Sequence, residues 1–199
     1  MIAIIDYGAG NLKSVTKAFD YLNVESKIVS DPKEINNADK IVLPGVGAFG
    51  SAIKEIHEAD LTDFIRNWIF ENRPFLGICL GMQLLLESST ESEGKSGLAV
   101  FKGECLRFDQ GKVPQIGWNQ IQIKKKSKLL NGIEDDSFFY FLHAYYIKPK
   151  NENIVLATTS YGVTYPSIIE KGNIYAVQFH PEKSGESGLK LLNNWVALC

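Results

Sequence analysis

The chain has 199 residues, 45% of them hydrophobic, and a formal net charge of −2. That length fits a single domain, 1–199, with a full-sized core, and so much apolar content argues against disorder. The slightly acidic balance speaks against a nucleic-acid or anionic-membrane binder, and no apolar run reaches the roughly 18 residues that suggest a membrane span.

The first residues, Met1-Ile2-Ala3-Ile4-Ile5-Asp6, lack a basic leader and meet an acid early. They read as a strand over 2–6 and not as a signal peptide. Leu12, Val15, Phe19 and Leu22 have the spacing of one helix face, which predicts a helix over 11–22. Further strands are expected at 26–29 and 40–43. Two helical pieces are expected across 51–71, broken near Ala59-Asp60, and then a strand over 74–78. This β-α-β-α rhythm predicts a mostly parallel open sheet covered by helices on both faces, a flavodoxin-like α/β arrangement.

From 99 to 179 the runs are shorter and richer in aromatic and β-branched residues. Turn signals such as Asn131-Gly132, Tyr161-Gly162 and Lys171-Gly172-Asn173 separate them. Antiparallel strands extending the parallel sheet are expected here, with Lys171-Gly172-Asn173 as a hairpin loop. Residues 87–97 read as a polar surface loop. Ser187 is expected to cap a last helix over 188–198, with Leu189, Leu192 and Trp195 or Val196 inward.

Gly77-Ile78-Cys79-Leu80-Gly81 carries the chemistry. A strand leads into it, and the run from Met82 to Glu87 reads as a helix. Strand, sharp turn, helix is a nucleophile elbow, and the flanking glycines let the backbone close up. Backbone N–H groups at the start of the helix favour the thiolate. A base is needed, and His180-Pro181-Glu182 at the end of a strand provides one. Two residues apart on extended chain, His180 and Glu182 leave on one face, so the carboxylate can orient the ring toward the sulfur. Ends of parallel strands share an edge, where Cys79 and His180 can meet. His57 reads as an exposed helical residue, and Cys105 and Cys199 as spectators.

The turn Pro44-Gly45-Val46-Gly47-Ala48-Phe49-Gly50 offers backbone N–H groups, at Val46 and Gly47, to a developing oxyanion, with the Leu80 amide as partner donor. It lacks the Gly-Lys-Ser/Thr of a phosphate loop, and Tyr7-Gly8-Ala9-Gly10-Asn11 lacks the third glycine of a dinucleotide motif. Three widely spaced cysteines without a C-x-x-C pair indicate a reducing compartment, the cytosol, and no structural zinc. Trp118 with Asn119 is the candidate partner contact, because tryptophan is enriched at binding hot spots; the alternative is a core tryptophan. Lys124-Lys125-Lys126 reads as a solvated turn.

Pro44-Gly45-Val46-Gly47, Gly77-Ile78-Cys79-Leu80-Gly81-Met82-Gln83 and Gln178-Phe179-His180-Pro181-Glu182-Lys183 together resemble the class I (triad) glutamine amidotransferases, in order and nearly end to end. Asp6-Tyr7-Gly8-Ala9-Gly10-Asn11-Leu12, Gly117-Trp118-Asn119 and Tyr140-Phe141-Leu142-His143 are most similar to the glutaminase subunits of imidazole glycerol phosphate synthases. The resemblance implies Cys79 as nucleophile, His180 as acid/base and Glu182 as orienter. It implies L-glutamine held near Gly45, Gly47, Gln83, Glu91 and His143, and no cofactor or metal. It also implies ammonia delivered to a (β/α)-barrel cyclase in a heterodimer. Gln115 stands where that group commonly has histidine, and Ala144 where it usually has serine or threonine. A related glutaminase serving bacterial surface-sugar amination, another cysteine hydrolase and a catalytically silent regulatory subunit are the alternatives.

Overall fold

The computed structural model describes residues 1–8 and 10–199; of the glycine-rich segment at 7–11, Ala9 lies outside the described residues. The chain runs β1 (Ile2–Ile5), α1 (Leu12–Tyr21), β2 (Ser26–Val29), α2 (Pro32–Ile35), β3 (Lys40–Gly45), α3 (Phe49–Glu58), α4 (Leu61–Phe70), β4 (Phe75–Cys79) and α5 (Leu80–Gln83). There follow β5 (Ser88–Ser89), β6 (Gly103–Arg107), β7 (Gln115–Gln120), β8 (Gln122–Ile123), β9 (Phe138–His143) and β10 (Tyr145–Pro149). The chain ends with β11 (Val155–Tyr161), β12 (Val163–Lys171), β13 (Ile174–Val177) and α6 (Gly185–Leu198).

The main sheet has the order β2-β1-β3-β4-β13-β12-β11-β8. Its first five strands are parallel, and the last three join antiparallel. The predicted parallel sheet with an antiparallel extension is therefore the observed one, and Gly172 turns the β12–β13 hairpin at φ +62°. Alternation along β1 explains the two layers. Ile2 and Ile4 pack with Val15 and Phe19 of α1 and with Leu191, Leu192 and Trp195 of α6. Ala3 and Ile5 pack on the opposite face with Ile56 of α3 and with Ile65 and Trp68 of α4. Two small sheets, β10-β6-β5 and β7-β9, sit beside this body. Among the described residues no helix is long and apolar enough to cross a membrane.

Three local expectations give way. The helix after Cys79 is one turn, Leu80–Gln83, and not a run to Glu87. Leu84, Leu85 and Leu86 are all fully buried, and their carbonyls accept from the N–H groups of Leu98, Val100, Phe101 and Ala99. The returning chain takes the acceptors a longer helix would need. Residues 87–97 are not merely a surface loop, because they hold β5 and cap α3: Glu91 Oε2 accepts from Phe49 N (2.7 Å) and Ser92 Oγ from Gly50 N (3.0 Å). The last helix begins at Gly185, so Ser187 lies inside it and does not cap it; Leu191 takes the inward place expected of Leu189.

Candidate active site

β3, β4 and β13 lie side by side and parallel, with Gly45 opposite Cys79 and Ile78 opposite Val177. Their C-terminal ends therefore form one rim, the place where open α/β sheets bind ligands. Cys79 ends β4 at φ 55°, ψ −107°, a backbone state that non-glycine residues rarely hold. The strain is enforced by close packing: a Cβ on Gly81 would sit 1.9 Å from the Leu43 carbonyl oxygen, and one on Gly77 2.9 Å from the Gly81 oxygen. Both glycines are thus steric requirements of the elbow.

β13 ends at Val177, and the chain continues through Gln178 and Phe179 to His180, which opens a 3-10 turn over Pro181–Lys183; His180 and Glu182 thus meet across a tight turn and not along the extended segment expected from the sequence. His180 Nδ1 lies 2.8 Å from Glu182 Oε1, and Asn11 Nδ2 donates to the same oxygen. A carboxylate only accepts, so Nδ1 carries the proton and Nε2 is left as the basic nitrogen. Nε2 is buried without a hydrogen-bond partner among the described residues. Burial alone would lower the His180 pKa, but the charge of the nearby Cys79 sulfur, followed by Glu182, outweighs it and raises the value to about 10. Sulfur and imidazole are therefore close enough to be electrostatically coupled, with Nε2 the ring nitrogen that Glu182 does not take.

A cavity of about 180 Å³ opens onto Cys79, lined by Val46, Gly47, Leu80, Gln83, Glu91, Leu142, His143, Ala144 and Tyr145. Of the residues singled out in the sequence, Val46, Gly47, Leu80, Gln83, Glu91 and His143 line it. Gly45 does not; it is packed under the Tyr7 hydroxyl and Leu80, and Tyr7 in turn donates to the Pro44 carbonyl (3.1 Å). His143 Nδ1 meets the Tyr145 carbonyl at 2.8 Å, and its Nε2 lies 3.2 Å from the Tyr165 hydroxyl. Burial is the main cause that pushes its pKa down to about 4, so the ring is neutral at pH 7. Gln115 is buried and accepts from Tyr165 (2.8 Å), which ties the position into this same network.

Trp118 lies on the outer face of the β7–β9 ribbon. It is 55% exposed, beside Ile116 (57%) and Phe138 (52%), and its ring meets Tyr140 edge-on. Asn119 points the other way and donates to the Ser160 carbonyl (3.0 Å). His57 is exposed, Cys105 is buried and Cys199 is partly buried, all away from the cavity lining.

The profile of the glutamine amidotransferase class-I family matches residues 3–198. The chain belongs to the class I glutamine amidotransferases. Curated relatives named imidazole glycerol phosphate synthase subunit HisH include one from Methanothermobacter thermautotrophicus, 50% identical over all of this chain and 98% of its own length. Another, from Caldanaerobacter subterraneus subsp. tengcongensis, is 47% identical over 98% of this chain and 97% of its own. Among solved structures, a glutamine amidotransferase superposes with a TM-score of 0.77 at 19% identity, covering 99% of this chain and all of that one. PurLQS from Thermotoga maritima superposes at 0.78 with 18% identity, covering 98% and 96%. Those two likenesses carry the fold. In this amidotransferase Leu142 O, Asn11, Tyr165 and Gln178 have no role assigned from the sequence. All but Tyr165 sit inside recognisable motifs, but only the folded rim brings Asn11 to Glu182, and Leu142 O and Gln178 to Cys79.

Proposed function

We propose that the chain is a single-domain glutaminase that serves as the ammonia-producing subunit of an imidazole glycerol phosphate synthase. The reading rests on one observation above all: the sulfur, imidazole and carboxylate of Cys79, His180 and Glu182 meet on one rim beside a cavity of about 180 Å³. L-Glutamine enters with its side-chain amide over Cys79. The sulfur attacks the amide carbon while His180 Nε2 holds the thiol proton, then passes it to the departing ammonia. Water, relieved of a proton by the same nitrogen, cleaves the thioester to glutamate. The N–H groups of Val46 or Gly47 and of Leu80 receive the oxyanion. The Glu91 carboxylate, held at the start of α3 by the Phe49 N–H, faces the substrate's α-amino group. Gln83 spends its N–H groups on the Tyr145 carbonyl and Gln178, so it offers its oxygen to the amide that leaves.

Ammonia passes to a (β/α)-barrel cyclase, which inserts it into a phosphoribulosyl-formimino aminoimidazole carboxamide nucleotide in cytoplasmic histidine biosynthesis. The cyclase docks on the apolar outer face of β7–β9, around Trp118 and Phe138. An exposed patch of this kind marks a partner surface, and Leu142, in the same ribbon, reaches the cavity. The chain mixed with that cyclase, its acceptor nucleotide and glutamine releases glutamate, and Cys79→Ala abolishes the release. Turnover retained in the alanine variant overturns the mechanism. Stimulation by a sugar-aminating synthase in place of the cyclase overturns the pathway.

A further inference from the structure

The Cys79 sulfur has two polar contacts besides its coupling to His180, and they have opposite preferences. The Leu142 carbonyl oxygen lies 3.7 Å from Sγ and accepts the S–H of a thiol. The Gln178 side-chain nitrogen, also 3.7 Å away, donates to sulfur. An N–H donor attracts a neutral thiol weakly and a thiolate strongly, whereas a carbonyl oxygen repels the anion. The Leu142 contact therefore suits a protonated sulfur and the Gln178 contact an ionised one.

The direction of the Gln178 amide follows from its neighbours. The Tyr145 carbonyl can only accept, so Gln83 presents its NH₂ there, at 2.9 Å. The same NH₂ meets Gln178 at 3.1 Å, so Gln178 must present its oxygen to Gln83. Its own NH₂ is then turned to Cys79. Gln178 is completely buried, and no other acceptor for that NH₂ is found among the described residues. Register explains the approach, since Val177, the last residue of β13, pairs with Ile78, and the next residues along the chain are Gln178 and Cys79. A buried amide costs free energy unless its donors are used, and an apolar side chain would fill this place without that cost.

We propose that Gln178 is a catalytic residue that stabilises the sulfur of Cys79 as an anion, its amide locked in the donating orientation by Gln83 and the Tyr145 carbonyl. The proposal rests on Cys79 being the nucleophile. The contact strengthens when negative charge forms on sulfur and weakens once the thioester forms, so it favours attack more than it favours the resting enzyme.

The test is the rate at which iodoacetamide alkylates Cys79 in the full chain near neutral pH, read on the Cys79 peptide by mass spectrometry. Gln178→Glu keeps the oxygen that Gln83 needs and replaces the donor with a second oxygen; Gln178→Met removes both. Each variant should slow alkylation about tenfold or more, the scale of a hydrogen bond to a charged group. Cys199 labelling in the same sample should not change. In the unmodified chain, the Gln178 side-chain amide protons should shift in NMR spectra when Cys79 is alkylated, a readout that needs no variant. Wild-type alkylation rates in a folded variant, an unmoved amide resonance, or an effect confined to the KM for glutamine would each overturn the proposal. Glutamate release surviving in Cys79→Ala is a different failure, that of the nucleophile assignment.

Discussion

The two halves of the chain contribute different kinds of matter to one site. β1 to β4, with α1 to α5, supply chiefly backbone: the Gly45-Val46-Gly47 turn, the strained elbow that carries the Cys79 sulfur, and the N–H of Leu80. Their inward side chains are almost wholly apolar. The chain from β9 onward supplies buried polar side chains: His143 and Tyr165, bonded to each other, Gln178, bonded to Gln83, and His180, bonded to Glu182. Period-two alternation makes this possible. On β9 the inward series is Phe139, Phe141, His143, so one histidine enters the core at the strand end that reaches the cavity. The first four strands set the geometry and carry the sulfur, and the later strands bring most of the polar groups around it.

If the first half works by shape, a single methyl group there should do the most damage. Gly81→Ala places a carbon 1.9 Å from the Leu43 oxygen, and the chain should lose more than about 4 kcal/mol of stability or fail to fold. Urea unfolding checks it, and a near-native midpoint would show that the elbow relaxes freely.

The second half should reveal itself through pH, because its two buried histidines pull in opposite directions. The His143 pKa, lowered to about 4 chiefly by burial, lies below its unfolded value of 6.5. Its neutral form is favoured by the fold, so stability falls as pH drops from 6.5 toward 4. The His180 pKa, raised to about 10 by Cys79 and Glu182 against the opposing effect of burial, lies above 6.5. Its stabilisation is complete below 6.5 and is lost as pH climbs toward 10. Each limb should be worth up to about 3 kcal/mol, with greatest stability between them. Melting temperatures across pH measure both. Cys79→Ser should flatten only the alkaline limb, and His143→Gln only the acid one; equal flattening of both by either change would break the distinction.

The smallest effect separates the inner and outer faces of the β7–β9 ribbon. Trp118→Ala should leave stability within about 0.5 kcal/mol, since the ring is half exposed, yet weaken association with the cyclase by about 2 kcal/mol. Calorimetric titration against the partner decides it; unchanged affinity moves the interface elsewhere.

Much of this was legible from local pattern. The spacing of Leu12, Val15 and Phe19 marks α1, the break at Ala59-Asp60 separates α3 from α4, and Lys171-Gly172-Asn173 turns a hairpin. Misreadings arise where distant chain competes with local preference. The Leu84-Leu85-Leu86 run has good helix formers, but the N–H groups of 98–101 take its carbonyls. The polar stretch at 87–97 reads as solvent-facing, but α3 lacks a side-chain cap of its own and draws one from Glu91.

Sequence alone determines the reagents: a cysteine between glycines after an apolar strand, and a histidine and glutamate two residues apart. These depend on spacing within a few residues, where bond geometry leaves little choice. Tertiary structure alone decides which groups surround the sulfur and the orienting carboxylate, because Leu142 O and Gln178 reach Cys79, and Asn11 reaches Glu182, from separate elements. Their arrival depends on strand order and register across the sheet, which no short stretch of chain encodes.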